Sequence, residues 1–266
     1  MESCKQSHFI DSHAHLTGED VFPFAEQMIE RALLSGISKV LNICTDLAAL
    51  ERGVVLKEKF PDTLYNVAAI TPHNVDEKGE LEFDKIATYA RKGQLVALGE
   101  TGLDYYNSTS DWNNQANYFR KYLQLALECR LPIVIHCRNA FEDFFKIIDE
   151  GYLVDGKHGP GVVHCFTGTL DEAKAVIERG WYISLSGIVT FKKSEKLREI
   201  AKWLPLERLL IETDTPYLAP LSKRGKVNEP AFVIETAQII ADVKGIALEE
   251  LAVTTADNTL KLFSKI

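Results

Sequence analysis

Eight short apolar runs, each followed by an amphipathic stretch, constrain this chain more than any other feature. The strand-like runs are 8–12, 39–43, 64–70, 95–98, 132–135, 161–164, 181–185 and 209–211. They are rich in Ile, Val and Leu and are bounded by Gly, Pro or polar residues, as strands buried on both faces are. Helical patterns follow at 22–35, 47–60, 81–91, 114–129, 140–150, 170–179 and 195–203, and two more at 231–243 and 248–263. The first ends before Gly36, a helix-stop residue, and the last opens with Glu249 and Glu250, acids suited to a helix N-terminus. This alternation predicts an α/β fold of the (β/α)8 TIM-barrel type. An open doubly wound sheet is the alternative. It requires a glycine-rich phosphate loop after an early strand, and neither G-x-G-x-x-G nor a Walker sequence is present. No linker, low-complexity segment or short repeat interrupts the pattern, so residues 1–266 read as a single domain.

Composition narrows the function classes. Acidic residues number 38 and basic residues 30, a net charge of −8. That excludes nucleic-acid binding through overall positive charge and leaves only local cationic patches. No apolar run reaches the roughly 18 residues of a membrane helix. The first eight residues lack the apolar stretch of a signal peptide, and the five cysteines show no Cys-x-x-Cys spacing. They read as reduced thiols in a cytoplasmic protein with no membrane contact and no obligate protein partner.

In a barrel, chemistry sits at the C-terminal ends of the strands. The first apolar run leads into His13-Ala14-His15, two histidines that face the same way on an extended chain. The fourth leads into Gly99-Glu100-Thr101-Gly102-Leu103-Asp104, the fifth into His136, the sixth into His164-Cys165-Phe166 and the eighth into Glu212-Thr213-Asp214. Singly, each has a plain structural reading: Glu100 can cap a turn, His136 can be a hydrogen-bonded core histidine, and Asp214 can cap the turn before Pro216. His8 reads as a strand-edge residue and His158 as part of a Gly/Pro loop. Together, His13, His15, Glu100, His136, His164 and Asp214 on one rim would carry severe like-charge and desolvation costs without a cation. The joint reading is a divalent-metal site for Zn²⁺, Mn²⁺ or Mg²⁺. Six ligands exceed the usual set for one catalytic zinc. Two ions about 3.5–4 Å apart, bridged by a carboxylate, account for all six.

These blocks, with Thr167-Gly168, Thr215-Pro216-Tyr217 and Arg224-Gly225-Lys226-Val227-Asn228-Glu229-Pro230, resemble the TatD family of metal-dependent deoxyribonucleases, among the amidohydrolase-like metal barrels. The likeness runs from His13 to the C-terminal helices. It implies metal ligation by the six residues above, with Glu100 bridging two ions; related barrels typically bridge with a carboxylated lysine, which is absent here. One position departs from the family pattern. The usual His-Pro-His after the third strand is Thr71-Pro72-His73, so a hydroxyl stands where an imidazole would face the phosphate.

The resemblance implies phosphodiester hydrolysis of the 3'-5' exonuclease type, with Asp214 as general base and DNA as substrate. His73, Thr71, Arg138 and Arg224 are the candidate phosphate contacts, with Lys192, Lys193, Lys223 and Lys226 as further rim cations that equally fit a solvated surface. Tyr105, Tyr106 and Phe166 are candidates for base stacking, although Phe166 also fits the core. Asn228 and Glu229 are expected to fix their loop. Two alternatives stand beside this reading. One is hydrolysis of another ester, such as D-aminoacyl-tRNA deacylation. The other is a metal-free binding scaffold, which predicts eroded ligands where this chain has none missing. An amidase or lactonase would have no use for Arg224 and the rim lysines.

Overall fold

The computed structural model describes residues 9–107, 109–153 and 161–266. His8, Cys4, the first eight residues and His158 lie outside them. Eight strands form one parallel sheet in chain order: β1 (Phe9–Ala14), β2 (Ile37–Cys44), β3 (Leu64–Ala68), β4 (Ala97–Asp104), β5 (Ile133–Arg138), β6 (Gly161–Val163), β7 (Tyr182–Leu185) and β8 (Leu209–Ile211). Between them run α1 (Ala25–Leu34), α2 (Leu47–Lys59), α3 (Val75–Arg91), α4 (Trp112–Cys129), α5 (Phe141–Gly151), α6 (Leu170–Glu178) and α7 (Glu195–Trp203). Two helices, α8 (Val233–Lys244) and α9 (Leu248–Leu262), follow β8.

The sheet curls until its first strand meets the chain just past its last. Ala14 bridges Thr215 in parallel. The His15 amide donates to the Thr215 carbonyl at 2.7 Å, and the Asp214 amide to the His13 carbonyl at 2.9 Å. Ser12 Oγ donates to the Ile211 carbonyl at 2.9 Å. The result is a nearly closed (β/α)8 barrel, as the alternation predicts.

Strand side chains alternate between two apolar clusters, as a two-residue period requires. Phe9, Val40, Leu98, Ile133, Ile183 and Leu209 pack outward against the helices. Ile10, Leu41, Val67, Val134, Val162 and Leu210 form the second cluster inside the barrel, together with Leu262 and Phe263 at the end of α9. Each fully buried Leu, Ile or Val contributes about 1.5–3 kcal/mol relative to exposure. Among the described residues, no helix is long and apolar enough to cross a membrane.

The fourth and fifth strands extend past their expected ends for one reason. The apolar pattern places the fourth strand at 95–98, yet β4 runs Ala97–Asp104; it places the fifth at 132–135, yet β5 runs to Arg138. The added halves are polar because they line the barrel mouth, so hydrophobicity stops before the ladder does. Leu98 pairs with Ile133, the register then shifts, and Thr101 to Asp104 pair with Ile135 to Arg138. In addition, α3 begins at Val75 rather than 81; Asp76 and Glu77 suit its first turn, and Gly79 within it disguises the helical period.

The shift falls across Gly99, φ +143, and the ladder resumes past it through a second constrained glycine. Gly102 has φ +137, and a Cβ there would lie 2.1 Å from the His136 carbonyl oxygen, a backbone atom that cannot step aside. Gly102→Ala is therefore expected to force β4 and β5 apart. A loss of about 3 kcal/mol would lower the thermal midpoint by roughly 6–12 °C in a chain of this size. Calorimetry would check it, and a midpoint within 1–2 °C of wild type would show that the ladder has slack at this point.

Candidate metal centre

The mouth of the barrel gathers imidazoles and carboxylates from five strands. His13, near the end of β1, is buried, and His15 stands just beyond the strand. Their Nε2 atoms face each other at 3.2 Å. His13 Nε2 lies 3.1 Å from Glu100 Oε2 and 3.6 Å from Asp214 Oδ1; His15 Nε2 lies 3.3 Å from Asp214 Oδ1 and 4.0 Å from Glu100 Oε2. His164, one residue past β6, brings Nε2 to 2.9 Å from Glu100 Oε2, and its ring stacks on that of His13 at 3.8 Å. Two ligand groups result, His13–Glu100–His164 and His13–His15–Asp214, sharing His13.

The outer nitrogens fix the tautomers. His15 Nδ1 is 3.1 Å from the Ile43 carbonyl, which can only accept, so that nitrogen carries the proton. When the imidazole is neutral, its Nε2 lone pair points into the centre. His164 Nδ1 lies 3.4 Å from Glu212 Oε1, with the same consequence when the imidazole is neutral. This is the arrangement by which ligand histidines are oriented at metal sites. Within the described residues, Glu100 Oε2 and His164 Nε2 are buried without a hydrogen bond of good geometry despite their short separation. Unpartnered buried polar atoms that converge on one point fit a cation between them.

The charges respond to this crowding. Burial opposes ionisation of Glu100, but the imidazoles around it, His164 foremost, hold its carboxyl well below the usual carboxylate range. Burial lowers His164 as well, yet Glu100 and then Glu212 raise it well above an ordinary imidazole. Burial and the neighbouring His164 charge push His13 down. Asp214 is opposed by burial, but the His15 hydrogen bond leads the interactions that lower it.

His136 joins a third group. Its Nε2 and that of His73 each lie 2.9 Å from Asp104 Oδ2, and both imidazoles donate to that buried carboxylate. Burial raises the Asp104 carboxyl, but the His136 bond and backbone donors prevail and hold it low. The His136 ring stands 5.6 Å from that of His164. So five of the six expected ligands converge directly, and His136 stands beside them with its Nε2 turned to Asp104.

The loop after β8 is built to hold Asp214. This residue adopts φ +60, a left-handed conformation that costs energy for a non-glycine residue and often marks a functional position. Asn228, fully buried, donates through Nδ2 to the Thr213 and Tyr217 carbonyls at 2.7 and 2.6 Å. Glu229 accepts from Arg31 Nε at 2.7 Å, which ties the loop to α1. Asn228 and Glu229 thus fix the loop, as expected. Arg224 is left exposed, its guanidinium 5.9 Å from the Phe191 ring and with no carboxylate partner among the described residues.

Other expected contacts separate. Arg138 ends β5 and lies 4.0 Å over the Tyr106 ring. Thr71 is buried just before the turn that carries His73. Lys192, Lys193 and Lys226 are exposed, while Lys223 reaches Glu235 at 3.5 Å. Phe166 is 2% exposed and packs on Phe141, so its role is in the core and not in base stacking.

The sequence reading assigned no role to Asp104, Glu212 or Asp11. The first two directly close or follow apolar runs, so the rule that selected Glu100 and Asp214 also marks them. Asp11 gives no such signal. It is wholly buried, accepts from Thr213 N at 3.0 Å and Thr213 Oγ1 at 2.6 Å, and burial pushes its carboxyl up to about 7.

Glu212→Gln is expected to weaken divalent-metal affinity about 10–100-fold, because the amide no longer offers His164 a charged acceptor. Titration calorimetry with Zn²⁺ or Mn²⁺ would measure it. Affinity within twofold of wild type would remove Glu212 from any orienting role.

With the geometry in place, comparison with known proteins is direct. The family described as "TatD related DNase" matches residues 10–264. The metal-dependent hydrolase YabD of Bacillus subtilis is 39% identical over 256 residues, covering 95% of this chain and 98% of YabD. The 3'-5' ssDNA/RNA exonuclease TatD of Erwinia tasmaniensis is 33% identical over 259 residues, covering 96% of this chain and 99% of its own. The crystal structure of YJJV, a TatD homologue from Escherichia coli, superposes with a TM-score of 0.89 at 25% identity, covering 97% of this chain and 98% of that one. The chain belongs to the TatD family of metal-dependent hydrolases.

Proposed function

We propose that this chain is a cytoplasmic, single-domain nuclease that removes nucleotides from the 3' end of single-stranded DNA. The observation that carries this reading is that His13, His15, Glu100, His164 and Asp214 form two adjoining groups of ligand atoms that share the buried His13. The exonuclease name of the Erwinia relative supports the substrate class.

These five residues and His136 would hold two divalent ions, Zn²⁺, Mg²⁺ or Mn²⁺, and Glu100 is the proposed shared ligand. For His136 to ligate, its imidazole exchanges Asp104 for the cation. When bound there, divalent ions would supply polarisation of a phosphoryl oxygen and a lowered pKa for an attacking water. Asp214, whose carboxyl the neighbouring imidazoles hold in its ionised form, would serve as general base toward the attacking water. His73, kept in place by Asp104, and the Thr71 hydroxyl serve the scissile phosphate. Arg138 and Arg224, neither paired with a carboxylate among the described residues, serve the neighbouring ones; a guanidinium matches phosphate oxygens in pairs.

Asp214→Asn is expected to cost about 10²–10⁴-fold in kcat with the fold retained, since the amide keeps the shape but accepts no proton. Steady-state assays on a labelled oligonucleotide with Mg²⁺, Mn²⁺ and Zn²⁺ would show it. Turnover within a few fold of wild type would contradict the assignment.

Arg224→Ala separates substrate classes. The loss is expected mainly in KM for DNA, with a nitrophenyl phosphodiester little changed, because only the longer substrate offers phosphates beyond the scissile one. The difference should shrink as salt rises and screening weakens the contact. Equal losses on both substrates, independent of salt, would make Arg224 a structural residue of the loop.

A further inference from the structure

A line of paired aromatic and cationic side chains leaves the rim where β4 and β5 end. Tyr105 and Tyr106 directly follow Asp104, and Arg138 lies two residues after His136. The exposed Tyr106 ring carries the Arg138 guanidinium at 4.0 Å. Tyr105 stacks on Trp112 at 4.2 Å with 21° between the planes, and Tyr105 Oη donates to Asp143 at 2.6 Å. Trp112 opens α4, and half of its surface still faces solvent. Beyond it, a groove of about 660 Å³ runs between α4 and α5, lined by Tyr105, Trp112, Arg120 and Lys146.

Large exposed aromatics normally find cover, and here two lie along one path. The path's three cations, Arg138, Arg120 and Lys146, have no carboxylate within 4 Å among the described residues. Arg31, Arg91 and Arg179, by contrast, are each paired. Two carboxylates border the groove, and both are occupied: Asp143 accepts from Tyr105, and Asp111 caps α4 by accepting from the Asn113 and Asn114 amides. Flat π faces alternating with unspent cations are the chemistry that single-stranded nucleic acid meets on its binding proteins: bases stack and phosphates find charge.

We infer that the groove between α4 and α5 is a subsite for single-stranded nucleic acid. It holds the strand 5' of the scissile phosphate, with one base stacked on the open face of Trp112 and phosphates at Arg120 and Lys146. The inference rests on the nuclease reading for the strand's direction, but not for the groove's affinity. A strand anchored there keeps its 3' end at the metal rim, so longer oligonucleotides are held better than short ones.

The test measures binding apart from cleavage. The full-length, metal-loaded protein is titrated into fluorescein-labelled dT15 whose last three 3' linkages are phosphorothioate, which slows hydrolysis, and into a protected dT3. Trp112→Ala is expected to raise Kd for dT15 about 5–20-fold, the worth of one stacked base, with dT3 unchanged. Trp112→Phe should restore most of the affinity. Because Trp112 also packs on Tyr105, the double variant R120A/K146A provides a second measure on exposed helix positions. It should weaken dT15 and flatten its salt dependence by about two phosphate contacts. If both variants bind dT15 within twofold of wild type, or if both lose dT3 equally, the groove is not a subsite. A protein that binds dT15 in a Trp112-dependent way but cleaves no nucleic acid with any metal would overturn the nuclease reading and keep the groove. Cleavage that is indifferent to length and to both variants would do the reverse.

Discussion

The seam between the first strand and the last carries the rest of the molecule. Asp11, out of reach of solvent, accepts from the amide and hydroxyl of Thr213 and from the His13 amide at 3.2 Å. One carboxylate therefore fixes the backbone of a proposed metal ligand on β1 and the turn that delivers another after β8. Burying a carboxylate is costly unless it is hydrogen-bonded, and the three donors offset that cost. The left-handed Asp214, the Asn228 clamp beneath it and the Arg31–Glu229 tie each depend on that seam being closed. A shift of the seam would move His13, His15 and Asp214 apart together.

The sequence makes the outer architecture legible because a parallel barrel writes itself as apolar strands and amphipathic helices. It is least legible where the structure turns to chemistry. The polar halves of β4 and β5 read as loops, since a strand that lines an active-site mouth surrenders the hydrophobicity by which strands are found. The five residues that meet at the centre are visible as ionisable groups after apolar runs. Asp104 and Glu212 obey the same rule, but a rule that selects ligands does not distinguish a ligand from the carboxylate that orients it. That distinction is made by direction: His164 turns one nitrogen to Glu100 and the other to Glu212, and no spacing encodes which. Asp11, inside a strand, is invisible to pattern, because its partner is far away in the chain. Trp112 lies just outside the helical pattern at 114–129, and only the structure lays it against Tyr105.

Charge is distributed with the same economy. The chain is acidic overall, yet at the rim Arg138 and Arg224 have no carboxylate partner among the described residues, while Glu229 is taken by Arg31. Removing a competing acid frees a cation as effectively as adding a second one. An acidic protein can in this way present a few uncompensated guanidinium groups where a polyanion must dock, while the remaining surface repels unproductive contacts.

The same seam sets a schedule for the molecule's birth. Asp11 and Thr213 are 202 positions apart in sequence, and contacts of such span form late because the intervening chain must first be ordered. As the chain leaves the ribosome, the early βα units can collapse on one another, but His13 and His15 wait for Asp214 until almost the last helix has been made. The proposed ligand set is thus complete only once the first and last strands have met, so metal capture there would report a closed barrel.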